Sequence, residues 1–313
     1  MSNPALARND DFGRRFYTFG DPPERYWSVT TIIGQGVPKH LQAHYAKMAA
    51  ELAYEAILER GPHSRASAIV RRLAARGWQH VQERQAAGEL TSIKLGKLTS
   101  RDLALRWIKG AADRHRDAAA ERGSKVHDEA EQLVLEHARE SARTYVAHER
   151  IRPWPAELRG YEQAFLSWLD LWHPEFLATE ASVFNRTESY AGTLDAILRV
   201  RLADGSVLTP CIDYKTGKRL YPDVGLQLAP YRRAEFIGAP DGVTRLPMIE
   251  TDSAAALLLQ ADGTHRFVLV RADHAMFDAF RFAREVFRFA EELAPTVFLQ
   301  DLTPLQAAPE EVA

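Results

Sequence analysis

The stretch Ile212-Asp213-Tyr214-Lys215-Thr216-Gly217-Lys218, taken with Gly192-Thr193-Leu194-Asp195 a little earlier in the chain, sets the fold. Asp213 and Lys215 are two residues apart, so on a β-strand both point to one face of the sheet. Val207-Leu208 and Cys211-Ile212 lead in from an apolar interior, and Thr216-Gly217 ends the run. An acid-x-base pair alone is a common solvated surface pair of little worth. Two charges at the end of an apolar strand need partners. A divalent cation shared by Asp213 and Asp195 is such a partner, since Mg²⁺ rests on one or two carboxylates with water and phosphate.

Around this stretch the hydrophobic period is two. Ala178–Phe184, Gly192–Leu202 and Val207–Tyr214 read as strands, with Ala203-Asp204-Gly205-Ser206 turning between the last two. Pro210 has no N–H for a ladder, so pairing on the third strand is expected from Cys211 onward. Pro222–Gly238 reads as a helix, Ala254–Gln260 and His265–Val270 as a hairpin, and Asp273–Leu293 as a helix striped with Phe277, Phe280, Val286, Phe287 and Phe289.

Upstream the period is helical. Residues 1–25 are polar with Pro22-Pro23 and read as an arm or loop, and Tyr26–Ile33 reads as a strand or extended segment. Helices are expected over Pro38–Arg60, Ala66–Arg76, Gly77–Ala87, Thr99–Arg116, Ala118–Arg139 and Ala156–Trp172. Gly61-Pro62 and Gly88 punctuate them, and Pro174 ends the last. His40 and His44 share a face without a third ligand nearby. Gly96-Lys97-Leu98-Thr99 lacks the earlier glycine and the direct Lys-Ser/Thr of a phosphate loop, so no nucleotide-driven motor is expected.

The chain has 313 residues, 46% hydrophobic and 26% charged, the profile of a globular protein of one large or two modest domains. It has no long apolar run and no apolar segment within Met1–Asp11, so neither a membrane span nor a secretory signal is expected. The one cysteine, Cys211, excludes a four-cysteine zinc or iron–sulfur site and suits a reducing cytoplasm. The net charge of −2 hides an asymmetry: Arg60–Arg116 holds thirteen Lys/Arg against four Asp/Glu. Basic runs are often solvated helical faces, but here the acids that would form i,i+4 pairs are scarce. That pattern favours a polyanion-binding surface.

Helix, three strands, helix, strand, with acids on the second and third strands and a lysine two after the second acid, resembles the PD-(D/E)XK nuclease superfamily in its RecB-like exonuclease branch. The resemblance spans about residues 120–275. Gly123 and His127 match that branch's Gly-x-x-x-His helix, Glu180 its acid on the first strand, and Gly192 and Asp195 its Gly-x-x-Asp. Asp213, Lys215, Thr216 and Gly217 match Asp/Glu-x-Lys-Thr-Gly, and Gln227 and Tyr231 match Gln-x-x-x-Tyr. The leading Tyr26–Ile33 segment and the His127 helix are also similar to the mitochondrial genome maintenance exonucleases and their phage and bacterial relatives. Cluster-bearing relatives need four cysteines, so no iron–sulfur cluster is implied.

The resemblance implies an α/β restriction-endonuclease-like core, a mixed central sheet flanked by helices, over residues 119–302. A helical N-terminal region over 1–118 and a loose tail over 303–313 complete the chain. His127, Asp195 and Asp213 would ligate Mg²⁺ or Mn²⁺, with the Ile212 or Tyr214 carbonyl as a possible further ligand. Lys215 would orient or deprotonate the attacking water, with Glu180, Gln227 and Tyr231 completing the catalytic set. For Gln227 and Tyr231, plain core packing is the competing reading. Lys218 and Arg232, and Arg101, Arg106, Lys109 and Trp107 of the basic region, would contact DNA. The expected activity is a metal-dependent DNA exonuclease acting on single-stranded ends in recombination, repair or phage replication. A structure-specific endonuclease and a non-catalytic DNA-binding accessory module are the alternatives. The expected location is the cytoplasm of a bacterial or phage-infected cell.

Overall fold

The computed structural model describes residues 6–36, 65–86, 103–104, 107–108, 110–140 and 153–299. The described N-terminal residues are not the expected arm or loop. From Leu6 they form a meander of β1 (Ala7–Asn9), β2 (Arg15–Phe19) and β3 (Glu24–Ser28). Strand β3 then pairs in parallel with β5 (Tyr190–Arg201), Trp27 opposite Tyr190. Alternation explains this: Tyr17, Phe19 and Tyr26 point inward and are buried around Phe184 and Phe236.

Beyond Ser28 the expected extended segment is instead a helix, α1 (Val29–Gly36). Val29, Ile32, Ile33 and Gly36 are buried on one helical face. Gly36 lies so close to the C-terminal helix that a Cβ there would sit 2.2 Å from the Ala283 carbonyl oxygen. Tertiary packing of that face overrides the strand preference of the β-branched run.

Gly77 does not separate two helices, because α2 (Arg65–Ala86) runs through it. A Cβ on Gly77 would meet the Leu103 carbonyl oxygen at 2.2 Å, so the glycine permits a close approach there. Helix α3 (Ala111–Glu140) starts earlier than its sequence pattern indicated. A 3₁₀ turn (Ala156–Leu158) precedes α4 (Arg159–Trp172), which ends at His173 in the left-handed conformation. The expected helix over Pro38–Arg60, the His40/His44 pair, Gly96–Thr99 and the C-terminal tail lie outside the described residues.

Strand β4 (Glu175–Asn185) is antiparallel to β5. The third expected strand is two, β6 (Val207–Leu208) and β7 (Pro210–Thr216), parted at Thr209, whose N–H donates to the Asp252 carboxylate. Helix α5 (Asp223–Arg232) stops short, and Phe236–Gly238 form β8 against β4. Strand β9 (Arg245–Pro247) follows. β10 (Ser253–Leu259) and β11 (His265–Leu269) form the expected hairpin. Helix α6 (His274–Arg288) is capped by the Asp273 carboxylate accepting from the Met276 N–H, and a π turn (Phe289–Leu293) extends it.

Strand β7 is antiparallel to β5 and parallel to β10, with α5 in the crossover. The fold is therefore α/β, a mixed, curled sheet flanked by helices. One apolar core joins the sheet to α3 and α4 through Trp168, Phe165, Tyr214 and Leu257. Another joins it to α1, α5 and α6 through Ile32, Leu228 and Phe280. No described helix is long and apolar enough to cross a membrane.

Candidate active site

Strand β7 presents Asp213 and Lys215 together. Lys215 Nζ lies 2.5 Å from Asp213 Oδ2. Gln227, on α5, ties the pair together: its Nε2 donates to Asp213 Oδ1 at 2.7 Å, and its Oε1 accepts from Lys215 Nζ at 3.1 Å. The Asp213 side chain is 2% exposed and that of Lys215 36%. The carboxylate therefore belongs to the core, while the lysine side chain is partly exposed.

Tyr214, between them, points its ring into the core against Phe165 and His127. Its backbone serves the site on both sides. The Tyr214 N–H donates to Asp195 Oδ2 at 2.5 Å, and its carbonyl accepts from His127 Nε2 at 2.9 Å. A carbonyl can only accept, so Nε2 carries the proton and Nδ1 is the atom facing Asp195 Oδ1, at 3.4 Å.

Glu180 joins from β4. Its neighbours Thr179 and Ala181 pair with Ala196 and Leu194, which sets Glu180 opposite Asp195. Its φ of 47° is left-handed, a conformation a non-glycine residue inside a strand holds only when its surroundings enforce it. One ligating atom each from His127, Glu180 and Asp195 lie within 4.8 Å of one another. Asp213 was expected as the third member of that set. Its carboxylate pairs with Lys215 and Gln227 beside that set, and Glu180 joins His127 and Asp195 in it.

Two glycines make the approach possible. A Cβ on Gly192 would be 2.4 Å from Tyr231 Cε1, so the Tyr231 ring packs flush on β5. Tyr231 is 3% exposed and supports the site from beneath, as the packing reading of this residue has it. A Cβ on Gly123, one turn before His127, would touch Thr216 Oγ1 at 3.3 Å. Both glycines stand where the sequence placed them, each followed by a site residue.

The electrostatics follow from burying several charges together. Burial opposes the charged form of His127, but the charge and hydrogen bond of Asp195, with Asp213 and Glu180 behind, lift its pKa to about 9. Burial, then the Asp195 charge, lifts Glu180 to about 8. Asp195 is held below the usual carboxylate range: burial works against it, but His127, Lys215 and the Tyr214 N–H prevail. Burial leaves Asp213 raised despite Lys215. Lys215 is raised because Asp213 and Asp195 outweigh its own burial.

The remaining expected residues divide. Arg232 spends its guanidinium on the protein, donating to Thr251 Oγ1, the Thr251 carbonyl and the Ala272 carbonyl, so it clamps a loop rather than facing a ligand. Lys218 is exposed just past the end of β7. Trp107 is half-buried beneath the Arg114 guanidinium, 3.5 Å from its ring centroid. Arg101, Arg106 and Lys109 lie outside the described residues. Sequence reasoning missed that Asp128 and Glu131 act on Glu180, and Asp223 on Lys215, as neighbouring charges. The available signal was their spacing: Glu131 is one turn from His127 on α3, and Asp223 one turn before Gln227 on α5.

No protein-family model matches this chain, and a comparison with curated protein sequences finds no match.

Proposed function

We propose that the chain is a divalent-metal-dependent deoxyribonuclease of the RecB-like PD-(D/E)XK type, acting as an exonuclease on single-stranded ends. The observation that carries this reading is the convergence of His127 from α3, Glu180 from β4, Asp195 from β5, Asp213 and Lys215 from β7, and Gln227 from α5. Gathering five acids and bases in a largely buried place is unfavourable unless a cation and a polyanion use it.

The donor set suits Mg²⁺ or Mn²⁺. His127 Nδ1 and the Glu180 and Asp195 carboxylates would hold the ion, with Asp213 beside them, and the imidazole nitrogen favours Mn²⁺ over an all-oxygen site. Such an ion, when bound, supplies a water of lowered pKa and polarises a phosphoryl oxygen. The Tyr214 carbonyl fixes the His127 ring through Nε2, which keeps Nδ1 turned inward. Asp213 and Gln227 fix the Lys215 ammonium beside the carboxylates. From there Lys215 would orient or deprotonate the attacking water and stabilise the charge of the transition state. The basic Arg60–Arg116 region would guide the strand.

The test is degradation of an end-labelled oligonucleotide with Mg²⁺ or Mn²⁺ by the wild type, Asp213→Ala and Lys215→Ala. Cleavage that persists at the wild-type rate in both variants ends the proposal. Closed single-stranded circles left intact separate an exonuclease from an endonuclease. DNA binding without metal-stimulated cleavage by the wild type identifies an accessory module.

A further inference from the structure

Between β7 and α5 the chain runs Gly217-Lys218-Arg219-Leu220-Tyr221-Pro222. This loop joins the strand of Asp213 and Lys215 to the helix of Gln227, so it borders the site at both ends. It is firmly held. Leu220 packs against the apolar core beneath α5, and the Tyr221 carbonyl accepts from the Val224 N–H as the helix begins. Gly217 turns the chain with a φ of 147°, in the region that favours glycine.

Against that anchored backbone, three side chains point outward. Lys218 and Arg219 are exposed, and Tyr221 is 57% exposed. The Arg219 guanidinium lies 4.8 Å from the centroid of the Tyr221 ring. Neither Lys218 nor Arg219 has a carboxylate partner among the described residues, although arginines elsewhere in the fold are paired with acids, as Arg281 and Arg284 are with Glu188. A large aromatic ring left in water loses the benefit of burial. An exposed ring on an anchored backbone, with an unpaired planar cation over it, is the combination that takes a stacked base and its adjoining phosphate.

We infer that Arg219 and Tyr221 form a stacking platform for an unpaired nucleotide beside the candidate catalytic lysine. Tyr221 takes the base, and Arg219 with Lys218 takes the flanking phosphates. The inference rests on the nuclease reading of the adjoining site and names the residues that would recognise the unpaired strand. A duplex has no free base face to offer, so the platform selects single strands. An acidic polypeptide would meet the cations but gain nothing from the ring.

The experiment is fluorescence anisotropy of the full chain in EDTA, with labelled dT20, a blunt duplex of equal length, and polyglutamate as competitor. Tyr221→Ala weakens dT20 binding at least about fivefold and leaves duplex binding unchanged, while Tyr221→Phe, which keeps the ring, binds like the wild type. Arg219→Ala lowers the slope of log affinity against log salt by about 0.7. Wild-type affinity in Tyr221→Ala, equal losses for single strand and duplex, or polyglutamate competing as well as unlabelled dT20 would each overturn the inference. Because Tyr221 is largely exposed, its loss does not threaten the fold, and a thermal melt checks this. Cleavage assays with Mn²⁺ separate the two claims. Tyr221-dependent binding without cleavage sinks the nuclease reading alone, and cleavage with Tyr221-independent binding sinks this one alone.

Discussion

Replacing Lys215 with Met tests whether Asp213 is a buried charge that depends on its partner. The variant keeps the chain length and removes the ammonium 2.5 Å from Asp213 Oδ2. The carboxylate, 2% exposed, is left with Gln227 Nε2 at 2.7 Å. Breaking a fully buried pair from one side destabilises by about 3–5 kcal/mol. Lys215 is 36% exposed and solvent screens part of the interaction, so the expected loss is about 2 kcal/mol. Asp213→Asn behaves differently. It removes the same ion pair but also the repulsion from Asp195, which contributes to raising Asp213. It should stay within about 1 kcal/mol of the wild type, or exceed it. The double variant should be more stable than Lys215→Met alone, with a coupling of about 1 kcal/mol or more. Urea unfolding at neutral pH, in EDTA, measures all four corners of the cycle. The sign with pH is set too. An acid whose folded pKa is raised binds its proton more readily in the folded state, so the Lys215→Met deficit grows as pH rises through the carboxylate range and fades on acidification. If Asp213→Asn were as damaging as Lys215→Met, or Lys215→Met as stable as the wild type, the buried-charge reasoning would be refuted.

Gly192→Ala sets a methyl 2.4 Å from the buried Tyr231 ring, so a loss of about 1–3 kcal/mol is expected, and a melting temperature equal to the wild type would show that the ring is free to move. Phe165→Ala empties the centre of the core against Trp168 and Tyr214 and should cost about 3–5 kcal/mol in chemical denaturation. Without metal, stability should fall as pH rises, from above 4.5 to about 8 through Glu180 and from above 6.5 to about 9 through His127, since both folded pKa values are raised. Metal ligation needs both groups deprotonated, so the rise in melting temperature on adding Mn²⁺ should grow between pH 6 and 9. Calorimetric scans that show a pH-independent increment would exclude these two residues as ligands.

The order of elements around the site was legible because it is written in period. Alternation at Ala178–Phe184, Gly192–Leu202 and Cys211–Tyr214, followed by helical spacing, is a one-dimensional pattern. Turn residues such as Ala203-Asp204-Gly205-Ser206 punctuate it locally. Misreadings fell where a distant partner decides. Val29–Ile33 is intrinsically strand-like and became helix because its buried face meets α6. Phe236–Gly238 left the expected helix because β4 offered a free edge. The helix expected to start at Gly77 runs through it from Arg65, and the glycine's role is proximity to Leu103.

Residue types and spacings along the chain therefore determined the succession of strands and helices and the short roster of chemically able side chains. Folding alone decided their grouping: Glu180 beside His127 and Asp195, Asp213 turned to Lys215 and Gln227, and Arg232 withdrawn into a loop clamp. Periodicity is a property of neighbours in sequence. Which carboxylate approaches which cation depends on strand register and on the burial that forces charges to pair, and both arise only when distant segments come into contact.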